Sequence, residues 1–360
     1  AVSFGDKHEV MPFIQSTADL EYQLTTFIRK LTIKNKSGLG FIANAADPTL
    51  NQNYTAWKQE LGAQFDVQDI TLDEKTAIIP GNVRALVLAN PSTPLSAKAK
   101  TALTSYLDKG GALLVLASPV NVSIQTLQAK AQDATLTDFL KDYGVILNTN
   151  LVYDLRSNAS VRVGGGFITL MLPYPLWTRV LPVPGVISPI INRIESLVLP
   201  WASSITLDET KMKEKAFTLE KLFVTSPYAG VQQGSFMLKP DGAFSQTGLT
   251  EHNMAVAVTG NKKTRLVVVG NATFLTDGFA QEQPTNLAFG VNAVSWLASE
   301  ESLADLKVKQ LSEHKLLFQN DTQRVLVQWG NIAWVVLVPL LVGLFRMMRR
   351  RNLKNRVYHA

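Results

Sequence analysis

The chain has 360 residues, of which 35 are Lys or Arg, 29 are Asp or Glu and none is Cys. Without cysteine there is no thiol nucleophile, no disulfide and no thiolate metal site. Six of the basic residues lie between Arg346 and Arg356, which leaves 29 basic against 29 acidic residues elsewhere. That balance argues against a phosphate-binding surface, so we expect no nucleic acid partner.

The N-terminal 36 residues contain no apolar run long enough for a signal peptide or a membrane span. Within them, residues 17–31 place leucine, isoleucine and phenylalanine side chains on one helical stripe. We therefore predict an N-terminal helical segment over residues 1–36.

Residues 37–150 alternate between strand and helix patterns. Residues 40–43 and 84–89 form apolar runs typical of buried strands. Between them, we expect Thr55 to cap a short helix that ends at Gly62, followed by an alternating stretch over 65–70.

The alternation continues with a helix capped by Ser96 and ended by Gly110 and Gly111, then an apolar run over 112–117. Its inner stripe is predicted to carry Leu103, Tyr106 and Leu107. This order of elements predicts an α/β fold with a parallel sheet and right-handed crossovers.

The α/β pattern resumes over 256–320, with a strand at 265–270 and a helix at 286–298. The predicted inner stripe of that helix consists of Leu287, Val291, Val294 and Leu297. The intervening residues 151–255 are less regular and richer in β-strand patterns, which indicates an insertion or a second subdomain. Its glycine run, 164–166, is typical of a flexible turn, and a phosphate cradle is the alternative.

Six prolines interrupt the segment 173–201 and exclude one continuous helix. One interpretation is a packed, irregular connection. The other is an apolar surface that docks on a membrane partner or on the bilayer interface. In the second case Trp177, Pro189 and Trp201 are the candidate partner-binding residues.

The C-terminal region has the pattern of a transmembrane helix over 329–348. Fourteen consecutive residues, Ile332 to Phe345, carry no charge. With its flanks the segment reaches about twenty residues, or ~30 Å, which matches a bilayer core. The tail 349–360 is basic, so the positive-inside rule places it in the cytoplasm and the body on the opposite side. A buried C-terminal helix is the alternative.

The predicted span contains Gly330, Asn331, Pro339 and Gly343. Small residues permit close helix approach, and an asparagine within a membrane prefers a polar neighbour. These four residues are therefore candidate contacts with another membrane protein. Export of the body requires an upstream element, so we expect an N-terminal segment that is cleaved or absent from this sequence.

No P-loop, G-x-S-x-G or H-E-x-x-H motif occurs, and the four histidines are scattered. We therefore expect no cofactor, no metal and no ATPase activity. Polar residues do follow two predicted strands: Ser118 follows one, and Asn271 and Asp277 follow another. Since open α/β sheets bind ligands at such ends, these three form a candidate ligand loop. Ser118 as a hydrolase nucleophile is one alternative, and a loop held by its own hydrogen bonds is the other.

Three stretches in this order resemble a known family. They are LDKGGALLVL (107–116), GNATFLTD (270–277) and NLAFGVNAVSWLA (286–298), followed by the predicted span and its basic tail. The chain resembles the auxiliary subunits of bacterial ABC transporters related to the gliding-motility-associated protein, over about residues 20–345. The resemblance implies a flavodoxin-like body, similar to class I glutamine amidotransferases but without their catalytic residues. It also implies a separate ABC permease and a separate ATPase as partners. Asn271 departs from the acidic residue expected after the glycine.

The sequence thus predicts a non-enzymatic, extracytoplasmic subunit of an ABC-type complex, anchored in the bacterial inner membrane by one span. Its body would be periplasmic, would bind a substrate or an envelope partner, and would dock on the permease in a hetero-oligomer. The rival functions are a serine hydrolase that uses Ser118 and a structural scaffold that bridges envelope layers.

Overall fold

The computed structural model of the chain describes residues 2–4, 7–9, 36–43, 53–89, 91, 94–123, 126, 128–132, 135–163, 170–240, 242–298, 337–340 and 342–348. Residues up to 308 belong to one compact unit and residues from 309 onwards to another. The predicted helical stripe 17–31, the glycine run 164–166, the span residues Gly330 and Asn331 and the tail 349–360 lie outside the described residues.

The strands follow one another along the chain as β1 (Val2–Phe4), β2 (Lys7–Glu9), β3 (Ser37–Ala43), β4 (Phe65–Thr71), β5 (Val83–Ala89), β6 (Ala112–Leu116), β7 (Val120–Ser123), β8 (Gln128–Ala131), β9 (Val145–Leu147), β10 (Leu151–Asp154), β11 (Asn158–Val163), β12 (Leu170–Pro182), β13 (Leu197–Pro200), β14 (Ile205–Leu207), β15 (Thr218–Val224), β16 (Ala229–Gln232), β17 (Asn253–Thr259) and β18 (Arg265–Val269).

Among the described residues of the first unit, the helices are α1 (Thr55–Gly62), α2 (Ala97–Asp108), α3 (Thr135–Lys141), α4 (Glu209–Glu214), α5 (Asp277–Glu282) and α6 (Pro284–Ala298). Short 3₁₀ segments cover Pro189–Ile191, Asn261–Lys263 and Thr273–Leu275.

Five strands form a parallel half-sheet in the order β4-β3-β5-β6-β18. Numbered by their appearance in the chain, these strands have the order 2-1-3-4-5, which is the flavodoxin-like doubly wound arrangement. The predicted parallel sheet is therefore confirmed. All five residues of β6 are buried, as its continuous apolar run predicts.

The capping prediction for α2 is confirmed. The Ser96 hydroxyl accepts a hydrogen bond from the Ala99 backbone N–H at 3.1 Å. Beyond the helix, Gly110 has φ +88°, a left-handed conformation that glycine adopts without a side-chain clash. The prediction that Thr55 caps α1 is wrong, because Thr55 is the first helical residue and Tyr54 occupies the cap position, where its side chain makes no capping bond to the helix.

An antiparallel half continues the same sheet from β18 through β17, β15 and β12 to β11. The segment 173–201 supplies most of β12 and all of β13, which pair with each other. The interpretation of an irregular connection is therefore wrong for much of this segment. Prolines fit into such strands at positions where no ladder hydrogen bond needs their missing N–H.

Helices cover both faces of the parallel half. On one face, α1 and α6 pack through Trp57, Leu61 and Phe289. On the other, α2 and α3 pack through Leu103, Leu107 and Phe139. The two helical layers exclude water from both faces of the central strands, as is typical of a doubly wound sheet.

In the second unit, residues 337–340 and 342–348 are helical and their side chains are exposed. They include Pro339 and Gly343 of the predicted span. Among the helices that the structure describes, none combines the length and the apolar character that a membrane crossing requires.

Candidate functional site

The carboxyl ends of β6 and β18 lie side by side, because these two strands pair in parallel register up to Leu116 and Val269. Ser118 follows β6 and Asn271 follows β18, so the fold brings two of the three predicted loop residues to one edge. The Ser118 hydroxyl accepts a hydrogen bond from the Ala272 backbone N–H at 3.0 Å. With 8 % of its surface exposed, Ser118 is part of the contact between the two strand ends.

Asn271 connects β18 to the antiparallel half. Its side chain is fully buried. The amide nitrogen donates to the Pro200 carbonyl, and the amide oxygen accepts from the Phe274 backbone N–H at 2.8 Å. The second bond closes a local turn, as asparagine side chains often do. Asn271 thereby fixes the loop that follows β18.

Asp277 lies at the start of α5 and caps a different helix. Its Oδ1 accepts a hydrogen bond from the Ala56 backbone N–H, 2.8 Å away, in the first turn of α1. A carboxylate there satisfies an otherwise unpaired N–H and complements the helix dipole. Beside it, the Tyr54 hydroxyl donates to the Ala272 carbonyl at 3.0 Å, and burial raises the pKa of Tyr54 far above its usual value.

The segment from β13 to β14 lies directly over this edge. The Ser203 N–H donates to the Gly270 carbonyl at 2.7 Å. A β-carbon on Gly270 would lie 2.0 Å from the Ser203 carbonyl oxygen, so only glycine permits this approach. The edge at which doubly wound sheets usually bind ligands is thus covered, at β6 and β18, by the chain itself.

Aromatic side chains form a small core near this cover. Trp177 contacts Trp201 and Phe279 edge to face, with ring centroids 5.8 and 5.1 Å apart. The Trp201 indole N–H donates to the Tyr174 hydroxyl at 2.9 Å. The structure therefore places the predicted partner-binding residues Trp177 and Trp201 in an internal cluster. Pro189, in contrast, is exposed.

Two further polar residues were not singled out by the sequence analysis. Asn286, fully buried in α6, bonds to both the N–H and the carbonyl of Val198 and to the Phe274 carbonyl. Asp154, fully buried at the end of β10, accepts hydrogen bonds from Arg156, Ser157 and Ser226. For both Asn286 and Asp154, the one signal in the sequence is a polar residue within an apolar pattern.

The arrangement holds loops in place. Each of Ser118, Asn271 and Asp277 accepts a hydrogen bond from a backbone N–H. Within the described ranges, no group of three or more His, Asp or Glu side chains is placed to hold a metal ion. The described part of the loop after β18 therefore functions as a junction between the parallel strands, α1 and the antiparallel half.

Solved structures share parts of this architecture at low sequence identity. The N-terminal domain of mmIFT52 covers 73 % of this chain and 98 % of its own at 16 % identity, with a TM-score of 0.49. A ThuA-like protein from Parabacteroides merdae covers 74 % of this chain and 91 % of its own at 10 % identity, with a TM-score of 0.39. A glutamine amidotransferase from Thermotoga maritima covers 74 % of this chain and 100 % of its own at 8 % identity, with a TM-score of 0.39.

Sequence comparison identifies relatives of the whole chain. An uncharacterized protein of Borreliella burgdorferi is 20 % identical over 380 aligned positions, which cover 98 % of this chain and 73 % of the relative. The profile of the auxiliary ABC-transporter family, described as an ABC-type uncharacterized transport system, matches residues 36–302. The matched region contains both halves of the sheet and the junction at Ser118 and Asn271. The chain therefore belongs to this family of auxiliary components of ABC-type transport systems.

Proposed function

We propose that this protein is a non-enzymatic auxiliary subunit of an ABC-type transporter, with an extracytoplasmic α/β body that is anchored in the bacterial inner membrane by residues 329–348. The body binds a substrate or an envelope partner. The anchor packs against the permease, and the basic tail lies on the cytoplasmic side, near the ATPase. Membership of the transport family supports the association with such a complex.

The observation that carries the anchor is the set of large apolar side chains exposed on the C-terminal helical residues. The set comprises Leu337, Val338, Leu340, Val342, Leu344, Phe345, Met347 and Met348. In water, so many exposed apolar side chains on consecutive residues would be unfavourable, whereas lipid would solvate them. Arg349, Arg350 and Arg351 follow directly and favour a cytoplasmic position for the tail.

Two features support contact with a permease. Within the described part of the chain, an added β-carbon at Gly343 would meet no atom within 4 Å apart from its own helix backbone, so the glycine leaves room for another helix. Outside the anchor, Ile187, which is 67 % exposed, Leu181 and Pro189 are exposed apolar residues of one short segment, and we treat them as one candidate surface. We assign this surface, in place of Trp177 and Trp201, to the extracytoplasmic contact.

The covered edge of the sheet supports a non-enzymatic role. A serine hydrolase requires a nucleophile with a base in hydrogen-bond reach and an open site for the acyl group. Here the Ser118 oxygen is bonded to a backbone N–H, and the neighbouring strand end lies beneath Ser203. Measurable hydrolysis by the purified protein that Ser118→Ala abolishes would contradict this part of the proposal.

Topology is tested by protease treatment of intact spheroplasts that carry a C-terminal tag. We expect digestion of the body and survival of a small tagged fragment, because only the body is accessible. Loss of the tag with an intact body would refute the orientation. Permeabilised spheroplasts, in which both regions should be digested, are the control.

Partner contact is tested by Gly343→Leu, which adds bulk at the proposed close approach while the segment stays apolar. Less permease and ATPase should co-purify in mild detergent, with membrane insertion unchanged. Leu340→Ile is the matched control and should retain both partners. Equal recovery with both variants would exclude helix packing at Gly343. Recovery of envelope proteins without permease or ATPase would favour the scaffold function instead.

A further inference from the structure

A polar groove lies near the covered edge of the sheet. It is formed by the β7–β8 ribbon together with Phe236 and has a volume of about 560 Å³. The ribbon begins two residues after Ser118, at the carboxyl end of β6. A hydrogen bond of 2.8 Å from the Gln132 N–H to the Pro119 carbonyl returns it to the same point. The groove therefore stands on the side of the sheet where doubly wound folds bind ligands.

The ribbon has one polar and one apolar face. Asn121 pairs with Lys130, and Ser123 pairs with Gln128. Because side chains alternate along a strand and directly opposed residues share a face, these four lie together. On the opposite face Val120 belongs to the aromatic core described above. The apolar face thus fixes the ribbon, and the polar face lines the groove together with Ala129 at its margin.

The chemistry of the lining is uncharged except for one cation. Amide and hydroxyl groups come from Asn121, Ser123, Thr126 and Gln128, the cation is Lys130, and no carboxylate is present. Within the described part of the chain, no hydrogen bond or ion pair engages the side chains of Asn121, Gln128 or Lys130. Phe236, which packs on the aromatic core, adds an apolar surface to one wall.

We propose that this groove binds a short segment of carbohydrate. Each sugar ring carries hydroxyls that both donate and accept, which matches the amide and hydroxyl groups, and an apolar C–H face, which matches an aromatic ring. A single lysine is a weak basis for an anion site, where several cations or an arginine fork are usual. The volume lies within the ~300–1,000 Å³ typical of small-ligand sites, so an oligosaccharide fits better than a folded protein.

The inference rests on the proposed function in one respect only: an extracytoplasmic body meets the glycans of the cell envelope. Binding by the purified chain can be measured whatever its topology. A wrong orientation in the spheroplast experiment and a failure to bind sugar are therefore separate outcomes.

The test uses the full chain in a detergent without a sugar headgroup, and saturation-transfer NMR with cellotriose and with tri-N-acetylchitotriose as probes. We expect saturable binding of at least one probe. Gln128→Ala removes two hydrogen-bonding groups from an exposed residue and should weaken binding on the order of ten-fold. Phe236→Ala should weaken it similarly. Gln281→Ala, an exposed glutamine on α5, is the matched control and should bind as the wild type does.

Three outcomes would overturn the proposal. The first is that neither sugar binds. The second is that Gln128→Ala, which leaves the core untouched, binds as tightly as Gln281→Ala. The third is that inorganic phosphate binds and is lost in Lys130→Gln while neither sugar binds, since the groove would then be an anion site.

Discussion

At the scale of single residues, buried polar side chains fix the junction between the two halves of the sheet. Asn271 reaches Pro200 and Phe274, whereas Asn286 reaches Val198 and Phe274. Both are fully buried, so each bond is made out of contact with water, where an unpaired partner would be costly. The two asparagines thus hold β13 and the loop after β18 together.

Asn286→Ala should lower the free energy of unfolding by about 3 kcal/mol, because it leaves the N–H and carbonyl of Val198 buried without this partner. Urea unfolding followed by circular dichroism measures the change. Asn261→Ala, an exposed asparagine in a 3₁₀ segment, should alter stability by less than about 0.5 kcal/mol. Equal effects of the two substitutions would show that the Asn286 bonds do not stabilise the fold.

The environment of His252 predicts that the stability of the fold depends on pH. Its Nε2 is buried and has no hydrogen-bond partner among the residues that the structure describes, and burial lowers the pKa of His252 below the ordinary value of 6.5. The unfolded chain therefore binds a proton near pH 6.5 that the folded chain does not bind until the pH is lower, so this residue destabilises the fold as pH falls through 6.5. His252→Phe should remove that contribution. The free energy of unfolding of the variant, minus that of the wild type, should increase as the pH falls from 7.5 to 5.5. A difference that stays constant over this range would contradict the prediction.

At the scale of elements, α6 buries a different face from the one that its sequence predicts. The predicted inner stripe was Leu287, Val291, Val294 and Leu297. Val294 and Leu297 are buried as expected, but the buried face also includes Asn286, Phe289, Gly290 and Ala293, while Leu287 and Val291 lie at its margin. The predicted helical period is correct, but the buried face is rotated about the helix axis relative to the predicted stripe. The reason is that Gly290 faces the Trp57 side chain of α1, a contact that the sequence does not show.

Gly290→Ala should destabilise the protein by about 1–3 kcal/mol, although alanine is normally the better helix former. The new β-carbon would lie 2.7 Å from the Trp57 indole nitrogen and 3.0 Å from the Leu275 methyl groups. Gly278→Ala in α5 is the matched control, since an added β-carbon there meets nothing within 4 Å. The control should be neutral or stabilising by about 0.5–1 kcal/mol. If both variants are equally stable, α1 and α6 can separate at no cost.

At the scale of the whole molecule, one sheet contains a parallel half built by α/β units and an antiparallel half supplied by residues 151–259. The halves meet at β17 and β18, which pair along the full length of β18. A further connection, besides the bonds of the two asparagines, is the close contact of Gly270 with Ser203. The covered edge depends on that contact, because it positions the β13–β14 segment over β18.

Gly270→Ala should therefore lower the unfolding free energy by about 3 kcal/mol, since the β-carbon would meet a backbone oxygen that has no rotamer to move away. Urea unfolding quantifies the loss. Gly62→Ala at the end of α1, where an added β-carbon has open space, is the control and should not destabilise. A stable Gly270→Ala variant would mean that the segment is free to shift from the edge.

The sequence by itself determined the parallel half. The signals for it are local patterns, namely the continuous apolar runs at 84–89 and 112–117 and the Ser96 cap. Such local patterns determine the buried strands and the helices that cover them. It also located Ser118 and Asn271 at neighbouring strand ends, because parallel strands end on one side, whereas Asp277 lies at the start of α5. The family resemblance to ABC-transporter auxiliary subunits was confirmed at the level of the transport family. Its gliding-motility branch, the span and the periplasmic location remain predictions.

Only the tertiary structure decided which contacts form at the strand ends and in the proline-rich segment 173–201. Trp177 and Trp201 are separated by 24 positions, and neither shows in sequence that it packs against Phe279. Likewise, β12 and β13 form because they pair with each other. Neither strand by itself shows a clear alternation of apolar and polar residues that would predict this pairing. The polar groove combines a ribbon at 120–131 with Phe236, more than 100 residues away. Such contacts arise when the chain folds back over its own sheet, and the periodicity of a single segment contains no information about its distant partner.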